Sequence, residues 1–206
     1  MPKIIEAHLY RKSRKQFEKA VKEVKCEAYP QLVEYLKQFS YKHSKENLFK
    51  TYLLLDDSDE ILAYISFSLS SIENKEKLGA SPSLNYPISA LKITRLLVKD
   101  GLSGKGIGTE LMRFADILAF SIAHLVACIF LIVDSKKSSK DFYLKNNFNE
   151  IGEDNDTILM FKEVGCNIKS TEIKEYLNFC KTYSLKTLEA YLYSIEEDLR
   201  FFQGFD

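Results

Sequence analysis

Apolar residues fall along this chain in two rhythms, and the switches between them mark out its elements. The β-branched run Leu91 to Val98 is too short for a helix and too continuous for a half-buried strand, so it predicts a buried strand. It stops at the turn pair Asp100-Gly101 and gives way to a loop with Gly104, Gly106 and Gly108 at alternate positions. From Thr109 to about Ala123 the apolar positions recur at helical spacing, and a second apolar run, Leu125 to Val133, predicts another buried strand. Strand, glycine loop, helix and strand make a βαβ unit, whose two strands are expected to lie parallel.

The same reading covers the flanks. Phe17, Ala20, Val21 and Val24 predict a partly amphipathic helix inside a basic opening segment. Leu32, Tyr35, Leu36 and Phe39 predict a helix over Ala28 to Lys42, with Pro30 in its first turn. Asn47 to Leu55 and Ile61 to Ser70 read as an antiparallel hairpin across the acidic turn Asp56 to Glu60, which lacks the glycine and spacing of a calcium loop. Ser71 to Ser89 is a long polar connection. Thr157 to Val164 reads as a strand paired with Asn149 to Ile151, and Gly165-Cys166-Asn167 breaks that pattern. Ile173, Tyr176, Leu177 and Cys180, then Leu185, Leu188, Tyr191, Leu192, Ile195, Leu199 and Phe202, predict a C-terminal helical hairpin. Its apolar face needs a partner surface, either this domain or a second copy in a homodimer.

Three glycines in five residues let the backbone approach a ligand and turn N–H groups toward it. The following helix start adds unpaired N–H groups and the positive end of its dipole, which together suit phosphate or pyrophosphate. The segment is not a P-loop, because no Lys-Ser or Lys-Thr follows its last glycine. It is not a dinucleotide fingerprint either, because, counting from Gly106, Leu111 stands where that pattern needs glycine.

Ser103-Gly-Lys-Gly-Ile-Gly108 resembles the cofactor loop Q/R-x-x-G-x-G/A of the GNAT acetyltransferase superfamily, with Ser103 in place of a long polar side chain. Downstream, Ser139-Lys-Asp-Phe-Tyr143-Leu-Lys-Asn-Asn147-Phe148 resembles the family's small-residue, tyrosine and Gly-Phe pattern. Asn147 there replaces glycine, and Asn best tolerates the left-handed conformation. The resemblance implies an α/β, three-layer GNAT-like fold whose central mixed sheet is splayed at the cofactor site. It implies that acetyl-CoA lays its pyrophosphate on Ser103, Gly104, Lys105, Gly106, Ile107, Gly108 and Thr109, and its pantetheine arm along Leu96, Leu97 and Val98. Tyr143 is then the general acid for the leaving thiolate, a role open to a phenol that keeps its proton at neutral pH. The activity implied is N-acetyl transfer to a primary amine. Glu73 and Asp134 are the weak candidates for a base, a structural cap being the alternative for Asp134.

Arg95-Leu-x-Val98, with Cys26 and Tyr35 upstream, is also similar to a GNAT branch of toxins that acetylate aminoacyl-tRNA, over roughly Cys26 to Phe161. Lys99 departs from that branch by standing before Asp100. Arg95, in an otherwise apolar strand, is expected at a solvent edge or a polar cleft. Lys136, Lys137, Lys140 and Lys145 would meet tRNA phosphates on that reading. A catalytically silent acyl-CoA-binding or scaffold protein is the rival from another class.

Totals narrow this little. The 206 residues are 46% apolar and carry 29 basic against 29 acidic side chains, so bulk charge does not point to nucleic acid. Met1 to Lys25 holds eight basic and three acidic residues, eight minus three giving +5. From Glu150 onward six bases face twelve acids, giving −6. Cys26, Cys128, Cys166 and Cys180 have no metal or disulfide spacing and His8, His43 and His124 are scattered, so metal is not expected and a reducing, cytoplasmic setting is. No membrane segment or secretory signal is read. Residues 1–164 form the expected acetyltransferase domain and 165–206 a helical extension.

Overall fold

A computed structural model describes residues 2–72, 87–165 and 170–203. Glu73, most of the Ser71 to Ser89 connection, Cys166 and Asn167 lie outside the described residues, as do the side chains of Leu199 and Phe202. The chain opens with β1 (Lys3–Glu6), a 3-10 turn and α1 (Arg14–Lys22), then α2 (Pro30–Gln38) and α3 (Ser40–Lys45). β2 (Lys50–Leu55), β3 (Ile61–Ile72) and β4 (Ile88–Val98) follow, and α4 (Ile107–Leu125) leads to β5 (Phe130–Lys136). α5 (Lys140–Lys145), β6 (Asn149–Asp154), β7 (Thr157–Glu163), α6 (Ser170–Thr182) and α7 (Lys186–Gln203) complete it.

The strands form one sheet in the order β1-β2-β3-β4-β5-β7-β6. Short turns join β2 to β3 and β6 to β7, whereas β4 reaches β5 through α4, and these two run parallel. The Asp56 to Glu60 turn is self-capped: Asp56 Oδ1 accepts from the amides of Ser58 and Glu60 at 2.8 Å each. It serves as the hairpin turn, and the described residues hold no cluster suited to a metal ion.

Helices cover the sheet in three layers. α1 and α2 close one side over Leu53, Leu55, Tyr64 and Leu97. α4 crosses the other side over Leu91, Ile93, Leu131 and Val133, and the tail extends that same core through Ile173, Leu177, Cys180, Leu192 and Ile195. The tail face therefore packs on this domain. Ile4 donates its amide to the Tyr183 carbonyl at 3.3 Å, and the Tyr183 hydroxyl bonds Glu110 of α4 at 3.1 Å. No helix among the described residues is long and apolar enough to cross a membrane.

Three boundaries differ from the pattern. The run Leu125 to Ile129 is not strand: α4 continues to Leu125, and β5 starts at Phe130. Leu125 and Val126 are apolar yet 68% exposed, so apolarity there does not signal burial. The single helix expected over Ala28 to Lys42 breaks at Phe39 into α2 and α3. β1 was not foreseen, because four residues between charged neighbours show no period of their own.

Candidate active site

The β4–β5 ladder runs from Ala90↔Phe130 to Ile93↔Val133 and ends there, while both strands continue. Beyond that point β5 stays paired with β7 as far as Lys136↔Thr157, and β4 stays paired with β3 up to Val98. The two central strands therefore part. The backbone groups of β4 beyond Ile93 that face away from β3 look into the gap instead of a ladder.

One inserted residue accompanies the parting. Ser66 pairs with Arg95 and Phe67 with Ile93, so Thr94 is a β-bulge. Its hydroxyl bonds the Ser66 carbonyl at 3.2 Å. The bulge also flips the side-chain parity: before it Leu91 and Ile93 face the α4 core, after it Leu96 and Val98 do, and Leu97 joins the α2 core. Were Thr94 instead paired in a regular ladder, Arg95 would share the parity of Ile93 and point into the α4 core.

The glycine loop closes the open end of the gap. Gly104 and Gly106 have φ of +76° and +82°, and Gly106 caps α4. Glu110 donates to the Gly106 carbonyl at 3.0 Å, so the amides of Ile107, Gly108 and Thr109 have no earlier helical turn to bond. Gly108 has a packing role: a Cβ there would stand 3.0 Å from Phe142 Cε2, so glycine lets the first turn of α4 meet α5. Asp100 ties the start of the loop to the α1–α2 link, donating its amide to Lys25 O and accepting from Glu27 N, both at 3.0 Å.

That link carries Tyr29 across the gap from Tyr143. Tyr143 packs edge-on against Phe142 and Phe148 and is 6% exposed, held by a turn in which Asn147 adopts φ +65°, the conformation expected of it. Burial, with Tyr29 nearby, pushes the Tyr143 phenol above its ordinary range, so it keeps its proton. Tyr29 is shifted the opposite way: the Ser138 and Ser139 hydroxyls, each 3.3 Å from its oxygen, and the Lys136 ammonium lower its pKa against burial.

Two cavities meet at these phenols. The first, of about 450 Å³, is lined by Leu96, Val98, Ser103, Gly104, Gly106, Gly108 and Thr109 with Phe142 and Tyr143. The second, of about 200 Å³, lies between the parted strands and is lined by Ile93 to Leu96 and Val133 to Lys136. Tyr29, Leu96, Ser139 and Tyr143 border both. Of the expected cofactor residues, Leu97 faces the other core, and Lys105 and Ile107 do not line the first cavity. Tyr29, Ser138 and the Thr94 bulge were missed; only the apolar setting of Thr94 and Arg95 hinted at the last.

The polar candidates sort by partner. Asp134 is not a cap, because β7 carries the ladder past it to Lys136; it is ion-paired with Lys92. Lys137 pairs with Glu153 at 3.1 Å and Lys140 with Glu150 at 2.6 Å. Lys136 lies over the Tyr29 ring at 4.9 Å, and Lys145 is exposed.

The parted sheet beside a glycine loop is the GNAT-like fold, as expected. Solved structures that share it include bacterial toxins, and one of them is AtaT. AtaT complexed with acetyl-methionyl-tRNAfMet aligns with a TM-score of 0.63 at 16% identity, over 85% of this chain and 99% of that one. AtaTR bound with AcCoA gives 0.62 at 17% identity, over 79% and 93%. A structure described as a bacterial toxin gives 0.67 at 15% identity, over 80% and 92%. No protein-family model matches the sequence.

Proposed function

We propose that this protein is an acetyl-CoA-dependent N-acetyltransferase acting on a primary amine. The observation that carries the reading is the meeting of two cavities at Tyr143, one of them bounded by the glycine-loop amides. The donor set of the first cavity fits a pyrophosphate, since Gly104 and Gly106 turn the backbone and the first amides of α4 are unbonded. Leu96 and Val98 offer apolar wall and strand backbone to a pantetheine arm.

Acetyl-CoA supplies an acetyl thioester. The second cavity holds the neutral amine against it, and most of the acceleration comes from that alignment. Unladdered β4 amides polarise the carbonyl oxygen. As the N–C bond forms and the C–S bond breaks, Tyr143 gives its proton to the departing sulfur. The amine's surplus proton passes to water, and solvent reprotonates Tyr143.

For the acceptor, aminoacyl-tRNA is the finer reading. It is supported by the likeness to AtaT complexed with acetyl-methionyl-tRNAfMet and by the exposed Lys145 and Lys136 beside the site. The dimer considered for the tail is a separate question, answered by light scattering.

The test has two stages. Melting with millimolar acetyl-CoA at about a hundred times its Kd should add roughly 2.7 kcal/mol of stability, several degrees in Tm. Radiolabelled acetyl-CoA is then offered to charged tRNA and to simple amines. A shift followed by labelled N-acetyl product is expected; no shift at all overturns the acetyltransferase reading, and a shift without product on any acceptor favours the silent binding module.

A further inference from the structure

The side chain of Arg95 does more than tolerate its place in an apolar strand. Its guanidinium carbon lies 3.7 Å from the Tyr35 ring centroid and 5.2 Å from that of Phe49, so aromatic rings hold its faces. Its described hydrogen bond is a long one, Nη1 to Thr94 Oγ1 at 3.5 Å. A guanidinium has five N–H donors, and no carboxylate pairs with this one among the described residues. A cation half-removed from water without an anion is unusual unless a ligand supplies the anion.

The surroundings are built to fix it. Thr51 and Ser66 are fully buried, and their hydroxyls lie 2.8 Å apart inside the sheet. Thr51 reaches the Tyr35 hydroxyl at 3.5 Å, and the Ser66 carbonyl accepts from Thr94. This chain of polar groups runs under Arg95, anchoring both the ring it stacks on and the bulge that turns it. Arg95 lines the second cavity with Tyr29 and Tyr143. Asp134, the carboxylate in that wall, is already held by Lys92, which leaves Arg95 and Lys136 as its net charge.

Resting on the acetyltransferase reading, we propose that Arg95 binds an oxyanion of the acceptor, so that the substrate is an amine carrying a phosphate or carboxylate a short reach from its nitrogen. The planar fork of an arginine takes such a group through paired N–H donors, and the stacked rings restrict its orientation. Arg95 is then a residue of acceptor specificity, separate from the cofactor cavity.

Two matched pairs of amines test this with the full-length chain and saturating acetyl-CoA: puromycin against puromycin 5′-phosphate, and methioninamide against methionine. The anionic member of one pair should have a KM about ten- to a hundredfold lower, the scale of a charge-assisted contact. Which pair responds tells phosphate from carboxylate. Arg95→Gln should close the gap, Arg95→Lys should restore part of it, and both should keep the melting shift with acetyl-CoA. A merely structural arginine would lower Tm and affect both members alike. Equal KM within both pairs, a gap that survives Arg95→Gln, or no turnover of any of the four while acetyl-CoA still shifts Tm would each overturn the proposal. Loss of the acetyl-CoA shift in the unmodified protein would instead remove the acetyltransferase reading on which it rests.

Discussion

Gly101 and Gly106 offer a matched experiment on the cofactor cavity. Both are left-handed, with φ of +76° and +82°, and a Cβ at either would meet nothing within 4 Å. Only Gly106 lines the cavity. An alanine in this conformation costs roughly 1–2 kcal/mol. Stiffening the unfolded chain returns about 0.4–1 kcal/mol. Each variant should therefore lose about 1 kcal/mol of stability, or roughly 2–4 °C in Tm for a chain of this size. Their ligand binding should differ. Relief of strain at position 106 rotates the amides at the start of α4, and losing one charge-assisted bond to phosphate weakens binding by roughly ten- to a hundredfold. Calorimetric titration with acetyl-CoA reads that directly. Gly101→Ala should bind as the parent does while melting lower, and Gly106→Ala should melt equally lower and bind much more weakly. If the two bind alike, the loop amides do not carry the pyrophosphate and the reasoning from backbone geometry is refuted.

Four further outcomes follow from the same structure. Tyr143→Phe should lower kcat at least about a hundredfold with acetyl-CoA affinity kept; an unchanged kcat would strip Tyr143 of its role. Because burial raises the Tyr143 pKa above its ordinary value near 10, the acid stays protonated to higher pH. The rate should accordingly rise with deprotonation of the amine and show no falling limb below about pH 10, and a limb centred near pH 8–9 in the pH–rate profile would count against it. Cys180 is fully buried and its thiol is pushed up to about 12, so mass spectrometry of iodoacetamide-treated protein at pH 8 should find its peptide unmodified until the chain unfolds. Leu192 of α7 is fully buried in the core shared with the sheet, so Leu192→Ala should cost about 2–4 kcal/mol and shift one cooperative melting transition; two separate transitions would mean the tail folds by itself.

The sequence announced those features whose causes are local. The parallel pair followed from two apolar runs with a helix between them, and the loop from its glycines. Asn147 in its left-handed turn followed from the chemistry of one side chain. What it concealed depends on partners distant along the chain. Thr94 is a bulge only because β3 pairs past it, and the parity switch that buries Leu97 toward α2 cannot be seen in an unbroken apolar run. Tyr29 comes opposite Tyr143 only because Asp100 holds the α1–α2 link against the loop. Asp134 looked terminal because the apolar run ended there, yet the ladder to β7 continues.

The bulge has a consequence at the level of the gene. Loss of a single codon at position 94 keeps the reading frame and removes one small polar residue, a change most surface loops absorb. Here it would leave Arg95 opposite Ser66 on its own face but erase the bulge, drawing β4 straight past Ile93 and favouring a ladder to β5 across the gap. In-frame deletions should therefore be tolerated far better within the Asp56 to Glu60 turn than at this codon, although both remove one residue from the chain.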